Sequence, residues 1–309
     1  MMIVDFHYHL MPRMTETSVS MLMPLIARAA DIMGRRLDME ALKKKGLATW
    51  ADPTGERLLE TMETAGIDYA VICMVDDASH PGLKAESVQK GNRMVGGVAS
   101  RYPDRVGGLC GIDPRRPEAP DMLKQSIEEF GVIGMKYHPD YGFDPSGPES
   151  YRVLEVLADH GGILLSHTGP LTPPSRARLS DPMRLADLGV DFPEITVIAA
   201  HMGAVDWRPW ANLAVFQPNF YGDLAMWDTL AFGHYDLFCR ELRDIIDLVG
   251  PSKVLFGSDG PVYPIAEPAG KWVQLIKDLP DRAPRGIRFT REEVDAILGG
   301  NAATILGLG

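Results

Sequence analysis

Short runs of β-branched and aliphatic residues alternate along the chain with longer stretches whose apolar positions recur at helical spacing. This is the pattern of βα units built around a parallel sheet. Eight runs read as strands: 3–6, 69–74, 106–112, 132–137, 162–166, 196–200, 219–223 and 253–256. Between them, helical spacing predicts helices over 55–65, 83–101, 119–130, 150–160, 181–188, 207–216 and 235–249. An eighth follows over 266–277. Two C-terminal helices come after it, the first opened by a capping box of Thr290 with Glu293 and the second by Asn301 as N-cap. The run 219–223 is the shortest and most polar of the strands.

Eight strands joined by seven helical crossovers predict an α/β fold, the (β/α)8 TIM barrel, as a single domain over residues 1–309. A doubly wound open sheet would carry a glycine-rich phosphate turn after its first strand, and residues 5–10 are not one. Residues 10–53 form an insertion after strand one, far longer than an ordinary βα loop. Its 21–33 stretch is helical in spacing and rich in methionine, a side chain that adapts to irregular surfaces. The expectation is a cap over the barrel mouth or a dimer contact, set against a plain structural helix.

Composition narrows the class without naming a chemistry. Hydrophobic residues make up 45% and charged residues 24%, as in ordinary globular proteins. A formal net charge of -11, with no basic run longer than Lys43, Lys44 and Lys45, argues against nucleic acid as a partner. Cys73, Cys110 and Cys239 are too few for a disulfide framework and too far apart for a thiolate metal site. No window approaches a membrane span and no basic segment precedes an apolar one at the start, so a cytoplasmic location is the expectation.

In a barrel of this kind, chemistry collects where strands end at the C-terminal face. Strand one ends Asp5-Phe6-His7-Tyr8-His9, and side chains two apart on a strand share a face, so both imidazoles point the same way. Strand five ends Ser166-His167-Thr168-Gly169, strand six Ala200-His201-Met202-Gly203, and strand eight Gly257-Ser258-Asp259-Gly260-Pro261. Any one of these histidines alone would read as a packed or surface residue. Taken together with closure of strand eight onto strand one, they predict a divalent ion held by His7, His9, His167 and Asp259.

These segments, with Gly134-Met135-Lys136-Tyr137-His138-Pro139 and the closing Asn301-Ala302, resemble the amidohydrolase superfamily over nearly the whole chain. The similarity is to the amidohydrolase-related branch that includes aminocarboxymuconate semialdehyde decarboxylase-like enzymes. The resemblance implies that His7, His9, His167 and Asp259 bind the metal, zinc first, with manganese or another divalent ion compatible. It implies acid-base work for His201. In two-metal members a carboxylated lysine from strand four bridges the ions, which would make Lys136 a ligand. The alternative is that Lys136 or His138 contacts an acidic substrate.

Two chemistries fit this ligand set. A hydrolase would use a metal-activated water on a small, carboxylate-bearing ester, lactone or amide, with His201 or Asp259 moving the proton. A carboxy-lyase would decarboxylate an aromatic or unsaturated acid without oxidation. The Gly-Met-Lys-Tyr-His-Pro segment resembles the branch's predicted hydrolases more than its known decarboxylases, and this tilts the reading to the hydrolase. A barrel without metal that only binds a ligand is the reading from a different class. Arg176 and Arg178 are candidate carboxylate binders or solvated loop residues, and His80, Trp207 and Trp210 are pocket candidates or packing. His160 and His234 read as helix-end and turn residues. Substrate choice is expected to lie in the insertion and in the loops around Thr172 and Pro264. Dimerisation is an expectation that the resemblance carries.

Overall fold

The structure, a computed structural model, describes residues 1–262 and 268–309. Eight strands form one sheet in the order β1-β2-β3-β4-β5-β6-β7-β8. They are β1 Val4–His9, β2 Tyr69–Cys73, β3 Val106–Gly111, β4 Gly134–Tyr137, β5 Ile163–His167, β6 Thr196–Ala200, β7 Phe220–Asp223 and β8 Val254–Leu255. The pairings β3 to β7 are parallel, with Leu109 opposite Gly134, Gly134 opposite Ile163, Ile163 opposite Thr196 and Val197 opposite Phe220. The Phe6 amide donates to the Phe256 carbonyl at 2.9 Å, bringing β8 back to β1. The class is the (β/α)8 barrel. Strand residues are buried almost throughout, as parallel strands covered on both faces must be.

The helices are α1 Glu16–Ile32, α2 Met39–Thr49, α3 Glu56–Ala65, α4 Ala85–Arg101, α5 Ala119–Glu128, α6 Pro148–Asp159, α7 Leu188–Asp191 and α8 Arg208–Ala214. They continue with α9 Trp227–Gly233, α10 Tyr235–Val249, α11 Ala269–Lys277, α12 Leu279–Arg282, α13 Arg291–Asp295 and α14 Asn301–Leu306. No described helix is long and apolar enough to cross a membrane. The chain divides into two compact units, the first made of 1–70 with 224–309 and the second of 71–223.

In the first unit the insertion is ordered helix. Thr15 caps α1 through a capping box with Ser18, and Asp38 caps α2 by accepting from the Ala41 amide at 3.0 Å. The cap starts α1 five residues ahead of the 21–33 stretch. Val19, Ile26, Ala29, Met33 and Trp50 form a core with Val262, flanked by Met11, Met14, Met23, Met39, Met226 and Phe232. Most of the methionines therefore fill gaps between α1, α2 and α9. Thr290 caps α13 in the box read from the sequence. Asn301 is not an N-cap. It sits inside α14, and its amide donates to the Pro251 and Val254 carbonyls at 2.8 Å each, tying the C-terminal helix to β8.

In the second unit the segment 181–188 is not one helix. A 3-10 turn over Pro182–Leu185 gives way to the four-residue α7. Asp181 caps the turn at the Met183 amide, and the proline that follows suits a first turn but not a helix interior. The start of the predicted 266–277 helix and the loop at Pro264 lie in part outside the described residues.

Candidate functional site

In the first unit the ends of β1 and β8 are held together by one buried carboxylate. Asp5 Oδ1 accepts from the Ser258 amide at 2.9 Å and the His7 amide at 3.2 Å. The His9 amide donates to the Gly260 carbonyl at 2.7 Å, the Asp259 amide to the His7 carbonyl at 2.8 Å, and the Gly260 amide to Ser258 Oγ at 3.0 Å. This lattice fixes where three side chains go. His7 Nε2 and His9 Nε2 lie 3.2 Å apart, and Asp259 Oδ1 lies 3.4 Å from the first and 3.1 Å from the second. Two imidazoles and a carboxylate converging in this way form an N, N, O donor set that suits a divalent cation. Asp259 is held at φ 57°, in the left-handed region that costs a side-chain-bearing residue free energy.

In the second unit the motifs at the ends of β5 and β6 interlock. Thr168 Oγ1 donates to the Ala200 carbonyl at 2.6 Å and accepts from the Gly203 amide at 2.8 Å. Gly169, at φ 93°, lies so close to Gly203 that a Cβ would come within 3.0 Å of its carbonyl carbon. The interlock holds His201, Met202 and Ala204 at φ 66°, 54° and 60°. The Asp223 carboxylate at the end of β7 accepts from the His201 amide at 2.8 Å. A histidine forced into this backbone conformation has its ring direction set by the fold.

His167 is oriented from one side. Its Nε2 donates to the Gly169 carbonyl at 3.1 Å, while Nδ1 is buried without a hydrogen-bond partner. The tautomer so fixed leaves the Nδ1 lone pair for a ligand. Burial drives its pKa well down, and the neighbouring His138, His201 and Lys136 add to this, against a partial pull from Asp140. The ring is a neutral imidazole, as a metal ligand must be.

Lys136 and His138 both sit at the end of β4 and are buried. His138 stacks between Tyr141 and His167, with ring centroids 4.8 Å away on each side, and its Nδ1 donates to Asp140 Oδ1 at 3.0 Å. Burial pushes the Asp140 carboxyl up, but the His138 and His167 rings outweigh it and hold it well below the usual carboxylate range. A ring clamped between two others and oriented by a carboxylate is fixed in both tautomer and direction.

The remaining sequence candidates separate. Arg176, Arg178 and His80 are exposed on loops. Trp207 and Trp210 are buried, and Trp210 Nε1 donates to the Tyr221 carbonyl. His160 Nδ1 donates to the Val156 carbonyl at 2.8 Å, finishing α6 as expected. Asp76 and Asp113, which follow β2 and β3, are taken up by Arg116 and Arg115. Three carboxylates that sequence reading missed bear on the site: Asp223, Asp140 and Asp228. The first ends a strand and the second stands two residues after His138, so both left a signal in the spacing. Asp228 left none.

The whole chain, residues 4–308, matches the family model described as amidohydrolase. The chain belongs to the amidohydrolase family, and so to a family of enzymes. Among solved structures it is similar to 5-carboxyvanillate decarboxylase from Sphingomonas paucimobilis, at 19% identity over 100% of this chain and 99% of that one, TM-score 0.65. It is also similar to dihydroxybenzoic acid decarboxylase from Polaromonas sp. JS666, solved with manganese and the inhibitor 2-nitroresorcinol, at 17% identity over 99% and 97%, TM-score 0.67. A third is 2,6-dihydroxybenzoate decarboxylase bound to its namesake acid, at 16% identity over 99% and 98%, TM-score 0.66. No curated protein sequence matches the chain.

Proposed function

We propose that the protein is a metal-dependent, non-oxidative decarboxylase of a hydroxylated aromatic or related unsaturated acid. The observation that carries this reading is the convergence of His7 Nε2, His9 Nε2 and Asp259 Oδ1 to within 3.4 Å of one another. His167, whose Nδ1 is buried without a hydrogen-bond partner, is the fourth ligand that the strand-end motifs name for one ion. Manganese and zinc both suit these donors. The full-length likeness to decarboxylases, one of them holding manganese, favours this chemistry over the hydrolysis that the strand-four segment suggested.

An ion held by His7, His9 and Asp259 would supply Lewis-acid polarisation of the substrate carboxylate. His201 gives its proton to the ring carbon that loses CO2; the carbon–carbon pair stays on that carbon and takes the proton, and solvent reprotonates the imidazole. Asp223 and Thr168 hold the His201 loop while this happens. His138, fixed by Asp140 and its two stacked neighbours, and Lys136 face an acidic substrate.

Hydrolysis is the second reading, and Lys136 favours it. This lysine is enclosed at the end of β4 and bears electrostatically on His167, the position from which a carboxylated lysine bridges two ions in binuclear members of the superfamily.

The test is CO2 release by chelator-stripped protein given manganese or zinc, on 5-carboxyvanillate, 2,6-dihydroxybenzoate and related hydroxybenzoates, with metal counted by elemental analysis. Metal-restored CO2 release with about one ion per chain is the expected result. Lactone or ester cleavage with two ions per chain, and no CO2, would replace this reading with the hydrolase. Protein that takes up no ion would leave a binding barrel.

A further inference from the structure

Asp228 is a carboxylate that neither the ligand set nor a hydrogen bond accounts for. It lies in the first turn of α9, five residues beyond the end of β7, and is 1% exposed. The stretch leading to it runs beside the metal candidates of its own unit. The Leu224 amide donates to the Leu255 carbonyl of β8 at 2.9 Å. A Cβ built on Gly257 would meet His7 Cβ at 3.0 Å and Ala225 Cβ at 3.3 Å. Both Asp228 oxygens are enclosed without a hydrogen-bond partner, as is the adjacent Thr229 Oγ1. Burial first, and then the charge of Asp259, raise the Asp228 pKa to about 7.

A carboxylate enclosed without a hydrogen-bond partner among the described residues is costly as an anion, and as a neutral acid it still needs an acceptor for its O–H. A second carboxylate within electrostatic range sharpens the demand, because two such groups coexist when a proton or a cation stands with them. His7, His9 and Asp259 already define where a cation goes. We propose that Asp228 adds a carboxylate to the divalent-cation site of His7, His9 and Asp259. This inference rests on the metal reading above. It takes the site beyond the four ligands that the strand-end motifs supply, and it makes the cation the partner that Asp228 lacks.

Manganese titration, followed by loss of the free Mn2+ electron paramagnetic resonance signal and by calorimetry, tests this on the wild type, Asp228→Asn, Asp228→Ser and His7→Ala. The expected result is a manganese affinity about 10–100-fold weaker in both Asp228 variants, the usual scale for a supporting group at a metal site. The metal-free melting temperature of Asp228→Asn should equal or exceed that of the wild type, so that weakened binding is not misfolding. Should the Asn variant fold poorly, the Ser variant, which keeps a small polar group, gives the same reading. Binding by both Asp228 variants within twofold of the wild type, with binding lost in His7→Ala, overturns this inference and leaves the metal reading standing. A wild type that binds no manganese overturns both.

Discussion

Thr168→Val removes one buried hydroxyl and leaves the side-chain volume nearly unchanged. In the wild type that hydroxyl donates to Ala200 and accepts from Gly203, at 2.6 and 2.8 Å. Each hydrogen bond is worth about 1 kcal/mol net, and stranding a buried donor or acceptor adds about 1–3 kcal/mol more. The expected loss is about 3 kcal/mol, which lowers the melting temperature by roughly 4–6 °C in a chain of this size. The damage should be local in a specific way. His201, Met202 and Ala204 stay left-handed against a strain of about 1–3 kcal/mol each, and the Thr168 hydroxyl, bonded to Ala200 and Gly203, helps to hold them there. Without it the loop relaxes, so the Gly203 and Ala204 amides should exchange with deuterium faster while those of β3 and β4 do not change. Thr168→Ser keeps the hydroxyl and should stay near the wild type in both assays. A Val variant that melts within 1 °C of the wild type, with unaltered exchange at Gly203, would refute the idea that this hydroxyl holds the loop.

Asp5→Ala strips the acceptor shared by the Ser258 and His7 amides, and should cost about 2–4 kcal/mol in urea unfolding together with most of the metal retained through gel filtration. Gly299→Ala would set a Cβ 2.0 Å from the Met2 carbonyl oxygen, so the variant should lose more than about 3 kcal/mol or fail to accumulate as soluble protein; a normal melting curve would show that the N-terminal strand can shift. The raised pKa of Asp228 means that the folded state binds this proton more tightly than the unfolded chain, so stability is lost as pH rises. In metal-free protein, the stability of Asp228→Asn relative to the wild type should therefore grow by about 1.4 kcal/mol per pH unit between roughly pH 4 and 7. A flat difference across that window would mean that the carboxyl finds its partner inside the protein.

The strands were legible because parallel strands covered on both faces must be apolar runs, and even the polar β7 was marked by its position between two helical stretches. What local pattern missed was weakly periodic helix. The helix Met39–Thr49 and the seven-residue α9 each depend on tertiary packing more than on their own periodicity, as short helices do. His7, His9 and Asp259 could be found because a period of two and a strand end are both local facts. Asp228 could not, since its meaning comes from which groups fail to reach it after folding. For the aromatic residues after β6 the sequence left pocket lining and packing open, and Trp207 and Trp210 are buried. The choice between hydrolysis and decarboxylation was unreadable from residue types, because both reactions use imidazole and carboxylate around a metal ion.

His201 and Asp259 share a property that bears on how this enzyme can change. Each occupies a backbone conformation that glycine would adopt without strain. A selection for heat resistance alone would therefore reward losing the side chains that the proposed chemistry needs. Random stabilising libraries should accumulate hits at these two positions that are thermally improved and inert, the trade-off expected where function is built on strain.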